Sequence, residues 1–132
     1  MINNTKKLKL AIIGLGYVGL PLALEFSKKR SLVGFDIDKK RINELNSGID
    51  KNLETTKEEL KSIKQLIFTN DEKNLKLANC YIITVPTPID EFKKPNLEPL
   101  LKASKIISKV IKQNDLIIYE STVYPGCIEE QC

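Results

Sequence analysis

The chain has 132 residues, 42% hydrophobic and 29% charged, which fits one globular domain and excludes both a disordered chain and a second unit with its own core. Its net charge of +4 comes from 21 basic and 17 acidic residues, and Arg30 and Arg41 are its only arginines. That speaks against a nucleic-acid surface, where arginine does most of the bidentate reading. No apolar run approaches the roughly 18 residues that span a bilayer, so no membrane partner is expected.

Met1 to Lys9 has the basic character of a signal-peptide leader. The apolar stretch behind it is short, broken by glycines and followed by no cleavage site, so it reads as a strand and the protein as cytoplasmic. Leu8 to Ile13 is a short apolar run ending at Gly14, the pattern of a buried parallel strand. From Tyr17 to Lys29, Val18, Leu22 and Phe26 recur at helical spacing, with Pro21 in the first turn where a missing N–H costs little. Ser31 to Asp36 reads as a second strand. Asp38 then reads as the N-cap of a helix through Asn46, with Gly48 past its end.

Thr56 and Glu59 have the spacing of a capping box, opening a short helix over Glu58 to Ile63. Leu66 to Thr69 and Tyr81 to Val85 are the third and fourth strands. Pro86, Pro88 and Pro95 keep the next loop irregular. Asn96 is placed to cap a helix to about Lys112, with Leu100, Leu101, Ile107 and Ile111 facing inward. Leu116 to Tyr119 is the fifth strand, and Gly126 to Gln131 begins another helix. Alternating strands and helices imply a parallel sheet, since each crossover returns the chain to the same edge. The fold class is therefore α/β, a Rossmann-type doubly wound sheet over residues 1–132, and it reads as truncated.

Gly14-Leu15-Gly16-Tyr17-Val18-Gly19 forms a G-x-G-x-x-G motif between a strand and a helix, the context that gives the motif meaning. Gly14 suits a tight turn, Gly16 a close approach of a pyrophosphate, and Gly19 close packing of helix on strand. Asp36 follows 22 residues after Gly14, at the end of the second strand, where a carboxylate accepts the adenosine ribose hydroxyls. It would repel a 2′-phosphate, favouring NAD over NADP. Lys39, Lys40 and Arg41 soften that repulsion from a less direct position. The competing reading makes Asp36 a helix cap, the role given to Asp38.

Val85-Pro86-Thr87-Pro88 and Glu120-Ser121-Thr122-Val123 leave the fourth and fifth strands at the edge where ligands bind in such sheets. The hydroxyls of Thr87, Ser121 and Thr122 are open to two readings, as groups reaching cofactor or substrate and as turn formers. Cys80, Cys127 and Cys132 share no ligand spacing and the chain has no histidine, so no metal site or disulfide framework is expected. Cys80 reads as a core residue, and Cys127 and Cys132 as exposed.

The phrases IIGLGYVGLPLA, GFDIDKKRI, TVPTPID and YESTVYPG, in this order, resemble the N-terminal domain of the UDP-glucose/GDP-mannose dehydrogenase family. Among its branches they are most similar to the dehydrogenases of UDP-N-acetylglucosamine and UDP-N-acetylgalactosamine that feed capsule and O-antigen synthesis. The resemblance implies NAD contacts at Tyr17, Val18, Asp36, Thr87 and Thr122, with Arg41 near the adenosine. It also implies a second role for Thr122, orienting a water near the reacting carbon. The implied chemistry is oxidation of the sugar C6 from alcohol through aldehyde to carboxylate with two NAD, the aldehyde held on a cysteine assisted by a lysine and an aspartate. Those residues, a central dimerisation helix and a UDP-sugar-binding domain fall beyond Cys132 in the family pattern. The expectation is therefore an inactive NAD-binding portion of a longer, homodimeric enzyme.

Two rivals share the glycine loop. A β-hydroxyacid dehydrogenase lacks the VPTPID and YESTVYPG phrases. A free-standing NAD-sensing or interaction module without catalysis would work at this length.

Overall fold

The computed structural model describes residues 8–132; the basic leader reading of Met1 to Lys7 lies outside them. In chain order the elements are β1 (Leu10–Ile13), α1 (Gly19–Ser27), β2 (Leu32–Phe35), α2 (Lys39–Asn46), α3 (Lys57–Ser62), β3 (Leu66–Thr69), a 3-10 helix (Glu72–Leu77), β4 (Cys80–Ile83), α4 (Glu98–Ser108), β5 (Leu116–Tyr119) and α5 (Cys127–Gln131). The five strands form one sheet in the order β3-β2-β1-β4-β5, every pair parallel. β1 lies at the centre, where the strand order reverses direction, and this reversal opens a crevice beyond the strand ends.

Alternation along the strands divides the core into two layers. Leu10 and Ile12 of β1 face one layer with Leu15 of the following turn and with Leu20, Ala23, Ile42, Leu45 and Leu60, inward residues of α1, α2 and α3. Ala11 and Ile13 face the other with Leu75, Leu100, Ala103, Ile107 and Cys127, from the 3-10 helix, α4 and α5. β1, β2 and β4 are buried along their whole length, as a sheet covered on both faces requires. β5 is only half covered.

The caps read from sequence form as expected. Asp38 accepts the N–H of Lys40, and Thr56 and Glu59 close a reciprocal capping box on α3. Asn96 accepts the N–H of Glu98 and so opens α4 from one position before Leu97, its N-cap.

Three expectations need correction. In α1 the buried face is Gly19, Leu20, Ala23 and Ser27. Val18 stands 59% exposed, while Leu22 and Phe26 pack half-buried against the core and line a groove with Pro21, Ile82 and Ile118. The small residues win because they let the helix axis come close to the sheet. In α4, Leu100 and Ile107 are buried, but Leu101 is 39% and Ile111 38% exposed. The inward stripe runs through Ala103 to Val110, and the helix ends at Ser108. Cys127 is fully buried rather than exposed, because α5 turns its first residue into the layer under α4. The 3-10 helix had no sequence signal beyond Asp71, which caps it through Lys73, since a single inward Leu75 sets no periodicity.

Tyr81 anchors the second layer: its ring is fully buried, and its hydroxyl donates to the carbonyls of Leu75 and Ala78, 3.2 Å from each. Tyr81→Phe leaves both carbonyls without that donor. It is expected to destabilise the chain by about 1–2 kcal/mol, seen as a thermal midpoint several degrees lower. An unchanged midpoint contradicts the anchoring role.

Candidate functional site

The parallel register sets Ile13, Phe35, Ile83 and Tyr119 side by side at the carboxyl ends of their strands. The loops that follow, at Gly14, Asp36, Thr84 and Glu120, therefore share one edge. The three glycines differ in what surrounds them. Gly14 has φ +99°, a left-handed conformation, and donates its N–H to Phe35 O at 2.8 Å. A Cβ on Gly19 would penetrate the carbonyl oxygen of Gly14 and lie 2.5 Å from Thr84 Oγ1. A Cβ on Gly16 would meet nothing within 4 Å, so the space over its backbone is free to receive a ligand.

By the sequence reading Thr84 belongs to the fourth strand and to the TVPTPID phrase but has no role at the site. It is buried, and its hydroxyl bridges the carbonyls of Gly14 (2.8 Å) and Ile13 (3.1 Å), fixing the start of the turn. Its only signal is position, one residue past the β4 end that pairs with Ile13. Beyond it, Tyr17 and Val18 are exposed at the head of α1. Among the described residues, the N–H groups of Gly16, Tyr17 and Val18 donate to no protein acceptor. They are the donors that a helix start offers to an anion.

Asp36 is partly buried and faces the same turn. Its Oδ2 accepts the N–H of Leu15 at 2.9 Å and its Oδ1 that of Asp38 at 2.9 Å. Each oxygen keeps lone-pair capacity for a further hydroxyl. Asp36 thus braces the turn at Leu15 and the entry to α2 at Asp38, whose own side chain caps the helix.

Arg41, on α2, reaches the glycine turn from the other side. Its Nε donates to Leu15 O at 2.9 Å. Its Nη1 lies 2.8 Å from Asp50 Oδ1, an ion pair by distance whose N–H groups are not aimed at the oxygen, and both terminal nitrogens are buried without a hydrogen-bond partner. Asp50 escaped the sequence reading. Its carboxylate also accepts the N–H groups of Asn52, Glu54 and Thr55. Burial pushes its carboxyl up, but Arg41 and the Glu54 and Asn52 N–H groups outweigh this and hold it below the ordinary 3.8.

On the far side of the turn, Val85 is half-buried against Gly14 and Pro86 is exposed. Thr87 Oγ1 is buried without a partner, an unmet polar group in the loop after β4. Ser121 donates its hydroxyl to Val85 O at 2.6 Å, tying the two loops together, so its proton is committed. Thr122 is exposed next to it. The free space over Gly16, the open N–H groups, the Asp36 carboxylate and the unpartnered Thr87 hydroxyl fit a bound dinucleotide. Among the described residues no group of His, Cys, Asp and Glu is placed to hold a metal.

Comparison with known proteins agrees with this geometry. Residues 8–132 match the NAD binding domain of the UDP-glucose/GDP-mannose dehydrogenase family. A UDP-N-acetyl-D-glucosamine 6-dehydrogenase of Salmonella typhi is 59% identical over 126 residues, which are 96% of this chain and 30% of that protein. Protein CapL of Staphylococcus aureus is 49% identical over 93% of this chain and 29% of its own length. The solved UDP-D-ManNAc dehydrogenase of Pyrococcus horikoshii superposes with TM-score 0.82 at 34% identity, covering 94% of this chain and 31% of that one. The chain thus spans about three-tenths of the length of the curated relatives it matches.

Two measurements follow from the local geometry. Gly16→Ala is expected to keep the thermal midpoint within a degree or two while weakening NAD at least about tenfold. Gly19→Ala should instead cost about 1–3 kcal/mol or more of stability through overpacking. Equal effects of the two on stability would contradict the assignment of open space to Gly16. The depressed carboxyl of Asp50 makes its contribution to stability complete above its unfolded value near 3.8, and lost as pH falls through its lower folded value. Thermal melts of wild type and Asp50→Asn should therefore differ most near neutrality, with the gap beginning to close only as pH falls below the ordinary 3.8 and vanishing below the lower folded value. A gap that persists into acid contradicts the ion pair.

Proposed function

This chain belongs to the UDP-glucose/GDP-mannose dehydrogenase family, whose NAD-binding domain it carries, and we propose that it is the cofactor-binding part of a nucleotide-sugar 6-dehydrogenase acting on a UDP-N-acetylhexosamine. The observation that carries the cofactor site is the free space over Gly16, next to Leu15, whose N–H the Asp36 carboxylate holds. The substrate class is supported by likeness to the Salmonella typhi enzyme. A role in capsule or O-antigen synthesis, a cytoplasmic location and a homodimeric whole protein belong to the same reading. Among the described residues no helix is long and apolar enough to cross a membrane.

Bound NAD supplies the hydride acceptor for oxidation of C6. The residues of this chain bind and orient. Gly14 and Gly19 set the turn, and Gly16 with the N–H groups of Tyr17 and Val18 holds the pyrophosphate. Asp36 accepts the adenosine ribose hydroxyls. Val85 and Pro86 wall the crevice, Thr87 offers its unpartnered hydroxyl, and Ser121 holds the neighbouring loop so that Thr122 meets the reacting end. There Thr122 touches the cofactor and orients a water. Cys80 and Cys127 are closed in the core, so neither is open to act as the nucleophilic cysteine of the second step.

Calorimetric titration with NAD and NADP, on wild type and Asp36→Ala, tests this reading. Wild type should bind NAD in preference to NADP. Asp36→Ala should lose at least about tenfold in NAD affinity, since hydrogen bonds to a charged group contribute about 1.5–3 kcal/mol, and should narrow the preference. Equal binding of both cofactors by both proteins contradicts it. For the whole protein, two NAD reduced per UDP-N-acetylhexosamine consumed is the expected stoichiometry, and faster turnover of UDP-glucose contradicts the substrate class.

A further inference from the structure

One peptide unit of the glycine turn is held at both ends by side chains that follow other strands. The carbonyl of Gly14 accepts the Thr84 hydroxyl at 2.8 Å, and the N–H of Leu15 donates to Asp36 Oδ2 at 2.9 Å. Both groups belong to the same peptide, in which C=O and N–H lie in one plane and point in opposite directions. Thr84, one residue past β4, and Asp36, one residue past β2, are therefore joined through a rigid plate.

We propose that Thr84 is a positioning residue for the cofactor: through the Gly14–Leu15 peptide it orients the Asp36 carboxylate, which sets the preference for NAD over NADP. The inference rests on the cofactor reading above and extends it to a buried hydroxyl that acts only through the turn.

The hydroxyl proton belongs to Gly14. Ile13 O, the other carbonyl within reach at 3.1 Å, already accepts the N–H of Thr84 at 2.9 Å. Gly14 O has no other donor among the described residues, so loss of the hydroxyl leaves that carbonyl without a partner. Space points the same way. Thr84 is only 6% exposed, and a Cβ on Gly19 would overlap Gly14 O and lie 2.5 Å from Thr84 Oγ1. The carbonyl is thus seated between a hydroxyl and the bare backbone of Gly19.

At the other end of the plate, Asp36 is held by two N–H groups, one on each oxygen. A donor on the Gly14 carbonyl polarises the amide and makes the Leu15 N–H a stronger donor to Oδ2. Without the hydroxyl the plate is free to rotate, the Leu15 N–H leaves Oδ2, and the carboxylate keeps only the Asp38 contact. Its remaining lone pairs then lose the fixed direction in which they meet the ribose hydroxyls. Arg41 holds the next carbonyl, Leu15 O, at 2.9 Å and is the same in every variant below, so it does not distinguish them.

The test compares wild type, Thr84→Val and Thr84→Ser in the 132-residue chain. Valine keeps the shape and removes the hydroxyl, whereas serine keeps the hydroxyl. In the ligand-free chain the Leu15 amide proton should move upfield and exchange faster in Thr84→Val, and return to the wild-type values in Thr84→Ser. By calorimetry Thr84→Val should bind NAD at least about fivefold more weakly, the fold-change of one neutral hydrogen bond. Its preference for NAD over NADP should narrow, and Thr84→Ser should restore both. A folded Thr84→Val with an unmoved Leu15 amide, or with an unchanged NAD-to-NADP ratio, overturns the proposal, as does a Thr84→Ser that loses as much. Where far-UV circular dichroism shows Thr84→Val unfolded, Thr84→Ala carries the same comparison. Failure of both to fold beside a folded Thr84→Ser assigns the hydroxyl to stability alone and also overturns it. Wild type that binds neither cofactor overturns the cofactor reading itself, an outcome distinct from NAD binding that is indifferent to Thr84.

Discussion

The contact between Gly19 and the carbonyl of Gly14 is the constraint on which the edge depends. Any side chain at position 19 would occupy the place of that oxygen, so only glycine lets α1 start where it does. Thr84 completes the clamp by donating to the same carbonyl from β4. One turn is thus fixed by two strands and a helix, and the helix head is held with its N–H groups pointing outward. This fixes the donors before a ligand arrives, which lowers the ordering cost of binding.

The remaining parts of the edge follow from sheet order. Parallel pairing in register brings the ends of β1, β2, β4 and β5 level, so loops far apart in sequence become neighbours. Ser121 to Val85 and Asp36 to Leu15 are such pairs, and each joins loops from different strands. For Asp36 the proposed binding role rests on a structural one: bracing Leu15 and Asp38 fixes the direction in which its remaining lone pairs point. Such double use makes substitutions at Asp36 report on both loop geometry and affinity, whereas at Gly16, where an added Cβ meets nothing within 4 Å, a small side chain reports on the ligand.

Much of this was legible in the sequence because the signals were local. The glycine spacing, the caps at Asp38 and Thr56, and the apolar runs at 66–69 and 116–119 each depend on a few neighbouring residues, and each appears as expected. The misses were long-range. Thr84 and Asp50 gain their roles from partners 70 and nine positions away, which no periodicity reveals. In α1 the spacing of Val18, Leu22 and Phe26 marks the helix, while its most buried residues are Gly19, Leu20, Ala23 and Ser27, because the sheet selects small residues where a helix must approach closely. Cys127 was misplaced for a related reason, since its burial depends on where α5 turns and not on its neighbours.

The central claim is that the loops after β1, β2, β4 and β5 form one NAD site. The most direct measurement is titration of the isotopically labelled chain with NAD, followed by amide chemical-shift mapping. The account predicts saturable shifts concentrated at residues 14–19, 36–41, 84–87 and 120–123, with residues at the opposite ends of the strands unmoved. Shifts absent at saturating NAD, or gathered instead around Asp90 to Lys105, would contradict it.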